Sequence, residues 1–483
     1  MSTITTAAEV RSHLQHPIVD ADGHIVECLP VLIDHIRKVA GDDVADRFGG
    51  TAVTYSSRSS KLLERSPTHG RAPTRGVAMA PWWALPTNAR DRATGFLPGL
   101  LAERLDEIGI DFAVLYSSVG LACIGHPDTA IRTGACRGLN HYLADVTDGY
   151  QHLMTATAVV PTNTPDEAIA ELDYAVQQLG FRSVMFNDLV LRPADGGGGV
   201  ARCDLLALDS DHDYDPLWAR CVDLGVAVTV HSGAQGYGLR TSSSRYMFNH
   251  IGNFGAAGHA FAKAVFFGGV TNRFPTLNFA FLEGGVAWGV QLLCDLVDRF
   301  AKRGGENIDR LNPGHLDLDE WNRILDQYGG ARFADPGVRE AMAAQSDNPP
   351  VEIDDYRACG VASAADIGRH FDNFYFGCEA DDPTIRWAYA KDVNPGGTCL
   401  RPVLGSDLGH WDVSNMLDVL PEAYELVDHG HLDHDQFRDF SCDNAIRLHG
   451  LMNPNFFDGT AVEHYASTLI AEEVAVRAQV AGR

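Results

Sequence analysis

The sequence predicts an α/β fold, a (β/α)8 barrel with helical insertions after strands 1 and 6. Three observations predict it. Eight short β-rich runs recur along the 483 residues, most of them separated by stretches with helical patterning. Runs such as "AVLY" and "VAVTV" lack the polar alternation of a half-exposed strand, as expected of parallel strands buried on both faces. Ionisable residues stand at the C-terminal ends of several of these runs, the end at which barrels of this kind carry their chemistry.

The first strand lies in "HPIVDADGHI". Within "VDADGHIVE", residues 19–27, Asp20, Asp22 and His24 alternate and are expected to share one face. Polar groups facing a core must be hydrogen-bonded, ion-paired or bound to a metal. An ion-paired strand end is the plain reading of this triplet, and a shared divalent ion is the chemical one. "LLAERLDEIGIDFAVLYSS" reads as an amphipathic helix stopped near Gly109 that feeds the second strand, Phe112 to Ser117. "LMTATAVVP" and "GFRSVMFN" supply the third and fourth strands, with a helix over Asp166 to Leu179 between them and Gly180 as its C-cap. A helix from Tyr214 to Leu224, capped by Gly225, precedes the fifth strand in "GVAVTVHSG". "LNFAFLEGG", "NFYFGCE" and "PVLGSDLGH" complete the set.

The chain, 1–483, is read as a single barrel whose excess length falls in three places. Residues 30–100 form a lid-like insertion, 190–213 a surface loop around "GGGG", and 301–369 a helical insertion. There is no internal repeat. The "GGGG" lacks the Lys-Ser or Lys-Thr of a phosphate-binding loop and reads as a flexible stretch.

A composition of 45% hydrophobic residues is that of a globular protein, and no run approaches the roughly 18 apolar residues of a membrane span. A cytoplasmic location is the default expectation. The formal net charge of -26 argues against nucleic acid or an anionic membrane as partner. The ten cysteines include no C-x-x-C pair, so neither a zinc knuckle nor a disulfide framework is indicated.

Reading off the strand ends gives Asp22 and His24 from the first strand, His231 from the fifth, Glu283 from the sixth and Asp407 from the eighth. Each has a bland reading alone, but five such residues on four strand ends of one barrel point to a metal site. Imidazoles and carboxylates without a thiolate suit Zn first, with Mn or Fe next.

The ordered set "DADGHIVE", "LLAERLDEIGIDFAVLYSS", "YDPLWARCVDLGVAVTVHSG", "GGVTNRFPTLNFAFLEGGVAW" and "VLGSDLGHWD" resembles the amidohydrolase superfamily. The branch is that of amidohydrolase family 2, the aminocarboxymuconate-semialdehyde-decarboxylase-like proteins. The resemblance implies a TIM barrel in which Asp22, His24, His231 and Asp407 bind a divalent ion. It also implies that Asp407 takes the proton from the metal-bound water. Two departures stand out: Asp-x-His replaces the frequent His-x-His of the first strand, and Glu283 replaces a common histidine. Glu283 is therefore open to three roles, as base, as proton donor or as ligand to a second ion. Asn187 stands where some members carry a bridging lysine carboxylate, which favours one ion over two.

Around this set, His410 is expected to touch substrate or orient a ligand. Trp82 and Trp83 in "MAPWWALP" are candidates to wall an apolar pocket or a protomer interface. Trp288 is expected to pack a helix on the barrel. His250 and His259 are not spaced as a helical metal pair and are assigned core or surface roles, with a loop route to the site left open for His250. Arg90 and Arg92 are read as surface residues.

The function expected is that of a metal-dependent hydrolase using an activated water on a small amide-, ester- or aromatic-acid-like substrate. The alternative is non-oxidative decarboxylation of an aromatic or unsaturated acid. Lower-ranked readings are an iron/manganese-dependent oxygenase on the same barrel and a non-catalytic partner subunit. A homo-oligomer is expected, with a hetero-oligomer containing a related barrel as the variant of that expectation.

Overall fold

The computed structural model describes residues 6–51, 85–193, 201–231, 242, 244–343 and 354–481. Eight of its strands form one sheet: β1 (Val19–Ile25), β2 (Phe112–Ser117), β3 (Met154–Val160), β4 (Ser183–Phe186), β7 (Val228–Val230), β8 (Phe279–Phe281), β9 (Phe374–Cys378) and β10 (Arg401–Leu404). Each pair of neighbours in this order is parallel. Seven of the eight strands fall within the runs that the sequence predicts, and β10 begins one residue before its run.

β1 and β10 meet at the seam of the barrel just beyond the strand ends. There Asp407 N–H donates to Asp22 O at 2.9 Å, and His24 N–H donates to Leu408 O at 3.0 Å. The residues that close the barrel are thus the candidate ligands or their neighbours.

The strands read as apolar runs because both faces are covered. All six residues of β2 are buried, and helices such as Pro98–Ile108 and Asp215–Leu224 pack outside the sheet. Asp215–Leu224 turns Leu217, Trp218 and Cys221 inward. Burying a side chain the size of Trp218 stabilises by up to about 4–6 kcal/mol on area grounds. Both helices stop where expected, at Gly109 (φ 92°) and Gly225 (φ 66°), in left-handed backbone that favours glycine. The helix expected over Asp166 to Leu179 is Pro165–Gln177, begun by the Thr164 side chain accepting from Glu167 N–H. Inside the barrel, Thr157 Oγ1 donates to Ser183 Oγ at 3.0 Å, and fully buried Tyr116 lies beside these hydroxyls and Thr229.

The insertions are only partly as expected. Part of the 190–213 segment is not a loop: β5 (Val190–Pro193) and β6 (Ala201–Asp204) form an antiparallel ribbon, fastened by Arg192 Nε to Asp204 at 2.9 Å. The "GGGG" at 196–199 lies outside the described residues. In the first insertion, helix Leu29–Ala40 packs on Thr129–Val146, while Trp82 and Trp83 lie outside the described residues. The third insertion carries helices Leu318–Tyr328, Pro336–Ala343 and Ala364–His370. Among the described residues, no helix is long and apolar enough to cross a membrane.

Candidate metal centre

Asp22 and His24 leave the end of β1 with a shape that their own strand dictates. The register of β1 against β2 shifts between Asp20 and Gly23, so simple alternation does not continue through the motif. Asp20 is spent on structure: its carboxylate accepts from Asp22 N–H at 3.1 Å, Ser406 N–H at 2.9 Å and the Ser406 hydroxyl at 2.5 Å. It ties the end of β1 to the end of β10. Gly23 is required by that tie, because a Cβ there would stand 2.6 Å from Asp20 Oδ2.

The five residues read off the strand ends converge. His24 Nε2 lies 3.2 Å from both His231 Nε2 and Asp407 Oδ1. Asp22 Oδ1 lies 3.7 Å from His24 Nε2 and 3.6 Å from His231 Nε2, and Glu283 Oε2 lies 3.2 Å from His231 Nε2. Two ligands held at about 2.0–2.2 Å from one ion stand roughly 3.0–3.6 Å apart, so this spacing fits a shared cation. Asp22 Oδ1 is buried and accepts no hydrogen bond, an orphan aimed between two imidazoles.

Electrostatics point the same way. Burial pushes the Asp22 and Glu283 carboxyls well above the usual range, reinforced by Asp407, and burial also raises Asp407 itself to about 7. Burial holds the His24 imidazole well below its ordinary value, aided by His410 and His231, and lowers His231 to about 3. Carboxyls that favour a proton beside imidazoles that refuse one describe a buried cluster short of positive charge. A divalent ion would supply it, and the donor set of imidazoles and carboxylates suits Zn, Mn or Fe.

Two of these residues hold strained backbone. Glu283 has φ 55° and Asp407 φ 48°, the left-handed region that side chains with a Cβ seldom adopt. Both follow the end of a barrel strand, and the twist aims each carboxylate into the cluster.

His410 backs Asp407. Its Nδ1 lies 2.7 Å from Asp407 Oδ1, its Nε2 lies 2.9 Å from Ser118 Oγ, and its ring stacks on His24 at 3.9 Å. His410 thus sits between the Asp407 carboxylate, at ion-pair distance from Nδ1, and the Ser118 hydroxyl, which is hydrogen-bonded with Nε2. These contacts set His410 against two of the candidate ligands, Asp407 and His24. Trp288 packs against Phe281 and Phe376 as expected. Arg90 pairs with Glu107, away from the cluster.

Sequence reasoning passes over Asp412, Glu379 and Ser118, and prefers a core or surface role for His250 while leaving open a route to the site. His250 stands at the mouth, its Nε2 3.8 Å from Glu283 Oε1, with Asp412 within reach of both. Glu379 directly follows β9 and so bears the same signal as the other strand-end carboxylates. Asp412 follows the "GH" of "LGHWD", and only the turn after β10 brings it back over the barrel. Burial pushes Asp412 up to about 8 and Glu379 up to about 7.

A sequence model described as amidohydrolase matches residues 19–303, more than half of the chain. Among solved structures the chain is similar to an amidohydrolase from Mycobacterium avium subsp. paratuberculosis K-10, with TM-score 0.51 and 15% identity over 90% of this chain and 100% of that one. It is also similar to 2,6-dihydroxybenzoate decarboxylase from Rhizobium, with TM-score 0.48 and 14% identity over 90% of this chain and 99% of that one. A third is 5-carboxyvanillate decarboxylase from Novosphingobium aromaticivorans DSM 12444, solved with manganese, with TM-score 0.47 and 14% identity over 93% of this chain and 99% of that one. No curated protein matches the chain. At these identities the structural likeness concerns the fold, whereas the sequence model spans β1 to β8 with Asp22, His24, His231 and Glu283. The chain belongs to the amidohydrolase family.

Proposed function

We propose that the protein is a metal-dependent hydrolase acting on a small organic substrate with an amide-, ester- or aromatic-acid-like portion. The observation that carries the reading is the position of Asp407. Its Oδ1 stands 3.2 Å from His24 Nε2 on one side and 2.7 Å from His410 Nδ1 on the other. A carboxylate so placed can accept a proton at the cluster and return it to a leaving group, while His410 keeps its orientation. The Ser118 hydroxyl holds His410 in turn. Asp22, His24, His231 and Asp407 are the residues that would hold the ion, Zn first and Mn or Fe next. When bound, a divalent ion there polarises a carbonyl and lowers the pKa of water from 15.7 to about 7.

Hydrolysis is preferred to decarboxylation on one observation. Among the described residues, no lysine or arginine forms an ion pair with Asp22, Glu283, Asp407, Asp412 or Glu379, and no cationic clamp for a substrate carboxylate stands at the cluster. Turnover in ¹⁸O-labelled water distinguishes the two. Incorporation of one labelled oxygen into product is expected, and release of carbon dioxide without label would replace hydrolysis with decarboxylation. Asp407→Asn and His231→Ala are each expected to lower turnover by at least about 10³-fold. Activity near wild type in either variant would refute the site.

A further inference from the structure

We propose that Glu27 is a positioning residue for the candidate metal centre, acting through Ser118 and His410 on Asp407. The inference rests on the reading of the cluster as a divalent-ion site, and Glu27 is not among the residues that converge there. Three observations lead to it.

The first is where the Glu27 carboxylate goes. Glu27 stands two residues beyond β1 and is only 5% exposed. Both of its oxygens are spent on the turn that follows β2: Oε1 accepts from the Ser117 hydroxyl, and Oε2 accepts from Val119 N–H at 2.9 Å. Ser117 Oγ accepts in turn from Gly120 N–H at 2.7 Å. A buried carboxylate is costly unless it is hydrogen-bonded or paired, and among the described residues no lysine or arginine pairs with this one. Its hydrogen bonds to the turn are what keep it there.

The second is the residue inside this clamp. Ser118 N–H donates to Ile25 O at 3.1 Å, which ties the Ser118 backbone to β1, while Glu27 fixes the residues on either side. What remains free to aim is the hydroxyl, and Ser118 Oγ lies 2.9 Å from His410 Nε2. Ser118 and His410 are both buried, so bulk water does not compete for that hydrogen bond.

The third is what His410 touches. Its Nδ1 lies 2.7 Å from Asp407 Oδ1 and its ring stacks on His24, so a shift of this one ring disturbs two candidate ligands. Groups that orient metal ligands from behind are typically worth about 10–100-fold in metal affinity. Glu27 and His410 also stand close enough for their charges to interact. Glutamine at position 27 separates the two effects, because it keeps hydrogen-bonding groups and removes the charge.

The test uses the full chain and Mn(II) alone, with free Mn(II) followed by electron paramagnetic resonance and thermal unfolding checking that each variant is folded. Glu27→Ala and Ser118→Ala are each expected to weaken Mn(II) binding about 10-fold, and Glu27→Gln to stay within about threefold of wild type. His410→Phe keeps a ring against His24 but neither nitrogen, so in that background the further loss from Glu27→Ala should disappear. Should Glu27→Ala not fold, Ser117→Ala takes its place in the same cycle with the same expectation, since it removes one of the two Glu27 contacts. Wild-type affinity in Glu27→Ala or in Ser118→Ala would overturn the inference. A loss in Glu27→Gln equal to that in Glu27→Ala would overturn it in favour of charge alone. A Glu27→Ala loss that persists undiminished beside His410→Phe would overturn it in favour of a general loosening of the fold. Each of these leaves the metal site standing, whereas a wild type that binds no Mn(II) would overturn the metal reading and this inference with it.

Discussion

Removing the Asp20 carboxylate should loosen the candidate metal centre from beneath, without touching any of the five candidate ligands. Asp20 is fully buried and accepts from Asp22 N–H, Ser406 N–H and the Ser406 hydroxyl. In Asp20→Ala the hydroxyl can rotate to another acceptor, but the two backbone N–H groups cannot. Each buried donor left without a partner costs about 1–3 kcal/mol, so the pair costs about 2–6 kcal/mol. Asp20→Asn keeps Oδ1 for both N–H groups and keeps the volume, and its cost should stay within about 1.5 kcal/mol. Urea unfolding of chelator-stripped protein measures the two costs free of any contribution from a bound ion. Metal content measured on the loaded proteins should fall in the alanine variant and not in the asparagine one, because Ser406 directly precedes Asp407. Equal stability of the two variants to within about 0.5 kcal/mol would refute the assignment of Asp20 as the tie between β1 and β10.

Two further perturbations test the frame around the site. Glu27, buried between the Ser117 hydroxyl and Val119 N–H, has its carboxyl pushed by burial from 4.5 up to about 7. Because the folded state holds this proton more tightly than the unfolded one, its contribution to stability is full below pH 4.5 and lost as pH rises through 7. The stability of Glu27→Gln relative to wild type should therefore shift in favour of the variant by roughly 3 kcal/mol over that window, and a flat difference in urea titrations would count against it. Arg104, with its side chain 3% exposed, donates to Asp91 and to Thr94 Oγ1, each at 2.7 Å, and joins helix Ala89–Phe96 to helix Pro98–Ile108. Arg104→Met strands a buried carboxylate and should cost about 3–5 kcal/mol, with Asp91→Asn in the same chain restoring part of it. A loss below about 1 kcal/mol in the single variant would show that the pair is not the joint proposed.

The strands were legible because a parallel strand covered on both faces leaves a local mark: "AVLY" and "VAVTV" are apolar at nearly every position. The helix stops at Gly109 and Gly225 were legible for a similar reason, since backbone conformation there is a property of one residue. The candidate ligands Asp22, His24, His231, Glu283 and Asp407 could be read because each lies within three residues of the C-terminal end of a strand, so the barrel alone brings them together. His250 and Asp412 carry no such mark. One sits on the five-residue helix Tyr246–His250 and the other beyond the turn after β10, and their meeting over the barrel depends on how two connections return across its mouth. Asp20 misleads in the opposite sense. Alternation makes it the equal of Asp22, but the register shift in β1 turns it to Ser406. The ribbon β5–β6 escaped notice because its strands, "VLRP" and "ARCD", mix charged residues into the apolar ones and leave no continuous apolar run.

The left-handed backbone at Glu283 and Asp407 sets how this protein would respond to laboratory evolution. Glycine at either position relieves a strain of about 1–2 kcal/mol and removes a buried acid in the same step. A library screened for heat resistance alone should therefore accumulate replacements at these two positions early, and each gain in melting temperature there would be a loss of a candidate ligand. Thermostable descendants that still turn over substrate should draw their improvements from elsewhere in the chain, and the persistence of an acid at both sites would mark a lineage that selection had kept working.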